Sequence, residues 1–241
     1  MSSTRPGRGL RSLAIAIVFL ACLAFIADRV AESLAEDRLA AIAQDEAARY
    51  DVRSSATSVE VGGFGFLPQL ARGEFSRITL TQHRPTISSV PAQDLMVAMT
   101  GIHLPRQLLT GDTGAAVTVE SADLRLRLSP DALTKLAART SGLDGLTLRI
   151  VSGELQARVV VQGVEAVAAV RPQAQNGRLR LVVDDPTAQL PPAVRAAVIS
   201  LLAKGIEIPD LPFGASLKQV GVDGQSVLLT ATAADVELPA A

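Results

Sequence analysis

The chain has 241 residues, and its 23 basic and 24 acidic side chains give a formal net charge of −1. This balance excludes the strongly basic surface that nucleic-acid-binding proteins present. A single cysteine excludes a disulfide scaffold, while an aromatic content of 3% without tryptophan argues against sites that stack sugars or bases on rings. The 48% hydrophobic fraction therefore predicts a core of Val, Leu, Ile and Ala.

The first element in the chain is a membrane signal. Three arginines in the first 11 residues precede an apolar run over residues 13–27, which also holds the single cysteine, Cys22. This order is typical of an export signal or an anchor, and the arginines keep the N-terminal side cytoplasmic. The run is short for a spanning helix, which needs about 20 apolar residues, but it lacks a clean cleavage site. We expect an uncleaved signal or membrane anchor over residues 1–27, with a cleaved signal peptide as the alternative. A single domain over residues 28–241 then lies on the extracytoplasmic (periplasmic or cell-wall) side of the cell membrane.

The elements that follow predict an α+β fold. Residues 28–50 are rich in Ala, Glu and Arg and predict a helix. From Thr57 onward polar and apolar residues alternate, which is typical of antiparallel strands with one buried face. Two more helices are predicted, one after the N-cap Ser129 and one after the proline pair at 191–192. Strands are predicted at 76–81, 95–104, 116–119, 123–128, 146–150, 154–162, 164–171, 177–181, 217–222 and 227–233.

Two apolar connections interrupt this pattern. Residues 62–73 (GGFGFLPQLARG) hold two of the six phenylalanines, and their glycines and proline predict a loop. Residues 206–214 (IEIPDLPFG) form a similar connection. An apolar loop either plugs a core or faces a ligand or a membrane. The first segment alone favours a plug, whereas two such segments favour an elongated cavity with apolar mouths.

Patterns that carry catalysis or bind metal are sparse. His83 and His103 are the only histidines and lack the spacing of metal ligands, so we expect no metal and no cofactor. The GDTG at 111–114 is similar to half of an aspartic-protease signature, but the second half is missing, and a turn is the better interpretation. The adjacent Asp184 and Asp185 precede a proline and also predict a turn. The sequence thus indicates a protein that is not an enzyme.

The two apolar segments resemble the signatures of one family. Residues 59–73 (VEVGGFGFLPQLARG) are similar to the pattern V-x-I-x-G-x-P-F-L-x-Q-L-x-x-G of the LmeA-like phospholipid-binding domains of actinobacterial cell envelopes. Gly65 stands where that family often has proline. Residues 208–214 (IPDLPFG) resemble the closing L-P-x-L-P-F-G segment. With the N-terminal segment and the strand pattern, the resemblance extends over most of residues 28–238.

The resemblance implies a tubular lipid-binding (BPI/TULIP-like) architecture, in which a strongly curved antiparallel β-sheet wraps around a long helix and leaves an apolar tunnel. It also implies phospholipid binding and a role in cell-envelope lipid or lipoglycan (mannan) assembly, although nothing in this sequence recognises a sugar. Small aliphatic side chains suit acyl chains, since each buried CH₂ contributes about 0.8 kcal/mol. We therefore expect acyl chains in the tunnel and the headgroup at its mouth. The candidate mouth or lining residues are Phe64, Phe66, Leu67, Leu70, Ile78, Leu80 and Phe213.

Two other hypotheses fit the same sequence. A structural or interaction module of the envelope would have a solid core and would use its anchor to meet a protein partner. An enzyme acting on lipid-linked sugars would need clustered acids in a cleft, and Asp112, Asp184 and Asp185 are the candidates. The expected partners of the preferred hypothesis are a phospholipid and the cytoplasmic membrane, with no nucleic acid.

Overall fold

A computed structural model of the chain describes residues 7–49, 52–87, 89–105, 116–141, 143, 145–161, 163–184, 191–208 and 211–238. These ranges contain four α-helices, which are α1 (Gly7–Arg49), α2 (Phe66–Arg72), α3 (Pro130–Ser141) and α4 (Pro192–Ala203), and a 3-10 turn at Pro212–Gly214. Their strands are β1 (Val52–Arg53), β2 (Ala56–Gly62), β3 (Glu74–His83), β4 (Thr86–Ile87), β5 (Val90–Pro91), β6 (Asp94–His103), β7 (Val117–Leu128), β8 (Thr147–Val151), β9 (Glu154–Val161), β10 (Val164–Gln175), β11 (Arg178–Val183), β12 (Ile206–Glu207), β13 (Ser216–Asp223) and β14 (Ser226–Leu238).

The strands form three antiparallel sheets, which confirms the predicted α+β class. One sheet has six strands in the order β13-β14-β7-β6-β3-β2, a second has five in the order β12-β11-β10-β9-β8, and a small one has the order β1-β4-β5. Each sheet is open in the part of the chain that the structure describes, so these strands form no closed barrel. The long helix α1 contacts chiefly β2, β1 and α2. The observed contacts are thus those of a helix against one edge of a sheet.

The predicted helices and strands are confirmed, with differences at their ends. The helix expected at 28–50 is the second half of α1, which continues without a break from the apolar run. The two strands expected at 116–119 and 123–128 are one strand, β7, because β6 and β14 pair with it on both sides along most of its length. Among the described residues, no helix combines the length and the apolar character of a membrane span.

The five-stranded sheet is covered by two helices and has a solid interior, here called the filled core. Helix α3 begins at Pro130 after the predicted N-cap, and the Ser129 hydroxyl accepts a hydrogen bond from the Ala132 N–H at 3.1 Å. Contacts of α3 with β8 and β12, and of α4 with β11 and β9, exclude water from the sheet face. The largest fully buried side chains of this core are Leu133, Leu143, Leu148, Leu155, Leu179, Leu202, Ile206, Val159 and Val227.

The six-stranded sheet carries a second apolar cluster, whose cover is less complete. Helix α1 packs against one margin of it through Ala31 and Ala35. At that margin Glu36 Oε1 accepts a hydrogen bond of 2.7 Å from the Val61 N–H of the edge strand β2. Central-strand residues such as Val97 and Leu124 are fully buried, whereas Ile78 and Leu80 of β3, one strand in from the edge, and Met99 of β6 stay half-buried. This apolar side of the six-stranded sheet is here called the open face.

Candidate functional site

The segment predicted as a loop at 62–73 contains a helix, so the loop prediction was wrong for Phe66–Arg72. Glycines bound the helix at both ends, because Gly65 has φ 71° and Gly73 is left-handed with φ 71° and ψ 25°. A Cβ on Gly73 would lie 2.5 Å from the Leu104 carbonyl oxygen, so only glycine fits there. Pro68 falls in the first turn, where backbone N–H groups have no partner within the helix, and it therefore costs no hydrogen bond.

The N-terminus of α2 is capped from α1, by a residue 38 positions away. Asp28 Oδ2 accepts a hydrogen bond from the Phe66 N–H at 3.0 Å, and Asp28 Oδ1 accepts one from the Leu67 N–H at 2.7 Å. The Leu67 hydrogen bond is the main cause that lowers the pKa of Asp28 below its ordinary value; the Phe66 hydrogen bond and the charge of Arg29 act in the same direction, and burial opposes them. The two hydrogen bonds fix α2 against the residue that ends the apolar run.

A buried glutamine ties α2 to the sheet. Gln69 Nε2 donates to the Gly62 and Gly65 carbonyl oxygens at 3.3 and 3.1 Å, while Gln69 Oε1 accepts from the Ser76 N–H at 3.0 Å. Sequence reasoning placed neither Asp28 nor Gln69 among the site residues. The glutamine of the family pattern was a signal for Gln69, whereas nothing local indicated that Asp28 contacts a segment so far along the chain.

The apolar residues of the first segment divide into two pairs. Phe66 is buried and packs on Phe75 of β3 with ring centroids 5.9 Å apart, and Leu70 is half-buried in the same cluster. Phe64, by contrast, is 94% exposed and Leu67 is 40% exposed. Phe66 and Leu70 thus pack into the open-face cluster, whereas Phe64 and Leu67 face the solvent.

The second apolar segment bridges the two parts of the molecule. Ile206 is fully buried in the filled core, whereas Leu211 packs against the open-face cluster that also holds Phe66 and Leu70. Phe213 lies in the 3-10 turn with φ 62° and is 41% exposed. The structure therefore brings the two segments to one cluster through Leu211 rather than through Phe213.

The two predicted lining residues of β3 lie in the middle of the open face. By strand register Ile78 pairs with Met99 and Leu80 pairs with Val97. The same row ends at Gln82, which is buried and whose Oε1 has no hydrogen-bond partner among the described residues. The open face is consequently a long apolar strip with one amide at its far end.

A row of residues that are left out of the strand ladder crosses four strands of this sheet near α2. Ser76 of β3 and Gly101 of β6 lie opposite each other but are left out of the ladder, and Glu120 of β7 and Asp235 of β14 continue the row. Gly101 and Asp235 have positive φ angles of 62° and 52°. The pairs on either side of the row keep the same register, so the row interrupts the ladder without an extra residue in any of the four strands.

An open groove of about 520 Å³ lies along this row, beside α2. It combines the exposed ring of Phe64 with side chains of both charges, and His103 Nε2 is 3.5 Å from Glu120 Oε1 within it. Apolar and charged surfaces therefore meet in this groove. The groove is lined by Phe64, Pro68, Gln69, Arg72, Glu74, Phe75, Ser76, Gly101, Ile102, His103 and Glu120.

The polar residues considered for catalysis do not converge in the described ranges. His83 Nδ1 lies 3.2 Å from Asp94 Oδ1, on a different part of β3 from the groove. Asp184 forms an ion pair with Arg171, and its hydrogen bond raises the pKa of that arginine. Asp112 and Asp185 lie outside the described residues. Among the residues that are described, no three His, Cys, Asp or Glu side chains are placed to hold a metal ion.

Comparison with known families identifies the chain. The model of a family described as LmeA-like phospholipid-binding matches residues 26–232, a span that includes α2, both apolar segments and most of the strands. No curated protein and no solved structure gave a significant match. The chain belongs to the LmeA-like phospholipid-binding family, and this membership supports a role in lipid binding.

Proposed function

We propose that the protein holds a phospholipid with its acyl chains along the open face of the six-stranded sheet. The observation that carries the proposal is the half-burial of Ile78, Leu80 and Met99, because their neighbours on the same face, such as Val97 and Leu124, are fully covered. A ten-residue strand such as β3 extends ~33 Å, whereas the hydrocarbon of one membrane leaflet is ~15 Å thick. The strip is therefore long enough for an extended acyl chain.

In the proposed lipid path helix α1 forms one wall and the sheet forms the other, as a tubular lipid-binding architecture would require. Ala31 and Ala35 present small side chains on the inner side of this wall. The mouth lies beside α2, where the charges of Arg72, Glu74 and Glu120 face the phosphate and the polar substituent of a headgroup. Binding needs no bond to be made or broken, and we infer a non-enzymatic carrier.

The N-terminal segment attaches this domain to the cytoplasmic membrane. The large apolar side chains of α1 between residues 17 and 26 are exposed, and several are more than half exposed, among them Phe19, Leu20 and Phe25. The arginines before the run place the domain of residues 28–241 on the extracytoplasmic side. A carrier in this position supports the assembly of cell-envelope lipids or lipoglycans (mannan) by supplying or holding phospholipid.

The test is native mass spectrometry of the full chain, followed by lipid extraction. The wild type is compared with Leu80→Trp, which fills the open face, and with Val160→Trp as a matched control. Val160 is 58% exposed on β9 of the five-stranded sheet, away from the open face. We expect one co-purified phospholipid in the wild type and the control, and loss of most of it in Leu80→Trp. A wild type that stays empty after incubation with vesicles would reject lipid binding and favour an interaction module, and equal lipid in both variants would reject the open face as its site.

A further inference from the structure

The exposed part of the first apolar segment lies at the same level as the end of the apolar run of α1. Asp28 follows that run directly. Its two carboxylate oxygens accept hydrogen bonds from the Phe66 and Leu67 N–H groups, just after the turn that contains Phe64. A Cβ on Gly65 would lie 3.8 Å from Asp28 Oδ2, so the turn is in contact with the helix. With a rise of 1.5 Å per residue, Phe25 is ~4.5 Å from Asp28 along the helix axis.

The side chains at this level change from apolar to charged within one helical turn. The guanidinium of Arg29 lies over the ring of Phe25 at 5.4 Å from its centroid and also pairs with Glu32. A cation that covers an aromatic ring and reaches back toward polar groups is typical of a boundary between hydrocarbon and water. The contacts of Arg29 are therefore typical of a helix that leaves the hydrocarbon at the end of its apolar run.

Phe64 is placed at this boundary with no cover among the described residues. It is 94% exposed and stands between Gly63 and Gly65, whose φ angles of 114° and 71° form a turn that projects the ring outward. The side chain of Leu67 is also exposed, and its backbone N–H donates a hydrogen bond to Asp28. Phe64 and Leu67 thus add two exposed apolar side chains at the level where the exposed apolar run of α1 ends.

We propose that Phe64 and Leu67 insert into the same bilayer leaflet as the apolar run, and that Asp28 is the positioning residue that fixes the two insertions relative to each other. The occupant is a lipid bilayer, because Asp28 fixes these side chains directly beside the end of the helical segment that the proposed function places in the membrane, on which this inference rests. Since Phe66 and Leu70 of the same short helix belong to the open-face cluster, α2 joins the bilayer directly to the lipid path. Lipid then enters the protein from the leaflet without crossing water.

The experiment measures the depth of labelled positions in the full chain. In a Cys22→Ser background, Phe64→Cys, Leu67→Cys and the control Val160→Cys are each labelled with an environment-sensitive fluorophore and reconstituted into phosphatidylcholine vesicles that contain brominated phosphatidylcholine. We expect quenching at positions 64 and 67 at least threefold stronger than at 160. Quenching at 64 and 67 equal to that at 160 would overturn the proposal.

The role of Asp28 is tested by adding Asp28→Ala to the Phe64→Cys protein. We expect quenching at 64 to fall toward the control, while a label at Leu20→Cys keeps its full quenching because the run stays in the membrane. Unchanged quenching at 64 would overturn the positioning role. Phospholipid that co-purifies with the same variants before reconstitution separates the two proposals: bound lipid with an unquenched position 64 rejects only the membrane insertion, whereas absent lipid rejects the proposed function.

Discussion

The filled core and the open face are built from the same small set of aliphatic residues, yet they differ in cover. In the filled core α3 and α4 lie on the five-stranded sheet, and side chains such as Leu148 are fully buried. On the open face α1 covers one margin, and Leu80 remains half-buried. Composition alone therefore does not decide whether a sheet face is fully covered or stays partly open. The helices placed over the sheet decide it.

The largest expected effect is a difference in the free energy of unfolding between the same substitution made in the filled core and on the open face. Leu148→Ala removes a fully buried side chain and should lower the free energy of unfolding by about 2–5 kcal/mol. Leu80→Ala, the same change on the open face, should cost about 1 kcal/mol because less packing is lost. Urea unfolding of the lipid-free full-length variants measures both values. Equal losses would mean that the two regions are packed alike.

Ligand-dependent stability should be confined to the open face. Phospholipid at 100 times its Kd should stabilise the wild type by about 2.7 kcal/mol, since it binds only the folded state. Ile78→Trp fills the space over the paired strands β3 and β6 and should abolish this gain while leaving the lipid-free protein folded. Thermal unfolding with and without phosphatidylcholine vesicles gives the comparison. A full gain in Ile78→Trp would contradict a lipid lying over β3.

The Asp28 contact predicts a dependence on acid pH. Because its folded pKa lies below its unfolded value of about 4, Asp28 stabilises the fold at pH values above 4. That contribution is lost as the pH falls through the folded pKa. Asp28→Asn should therefore lower the Tm at pH 7 and reduce its fall between pH 5 and pH 2. Hydrogen exchange of Phe66–Arg72 should rise in the variant, and unchanged exchange there would show that the cap does not hold α2.

The smallest effect is expected on the outer surface of the five-stranded sheet. Arg158 and Glu165 form an ion pair of 2.7 Å across β9 and β10, and both side chains are half-exposed. Glu165→Gln should cost at most about 1 kcal/mol, because exposed pairs contribute little. Its bound phospholipid should equal that of the wild type. A loss of lipid in this variant would extend the site beyond the open face.

Most of the sheet structure follows from the sequence, because the alternation of residues along strands such as β7 and β11 records which side is buried. The helix α2 does not follow from it. Its sequence is short, contains Pro68, and receives its cap from Asp28, far away in the chain. The division of the first segment into a buried Phe66 and an exposed Phe64 likewise depends on where β3 places Phe75. Local sequence records the faces of strands, whereas contacts between distant segments decide which apolar residues stay exposed.

The most direct test of the account is photo-crosslinking with a phospholipid that carries a diazirine at the end of an acyl chain, followed by tryptic digestion and mass spectrometry. We expect the label on the tryptic peptide of residues 78–106, which contains Ile78, Leu80 and Met99. Trypsin leaves this peptide whole because Arg84 is followed by proline. Label found instead on residues 150–158 of the five-stranded sheet would contradict the central claim that the lipid lies along the open face.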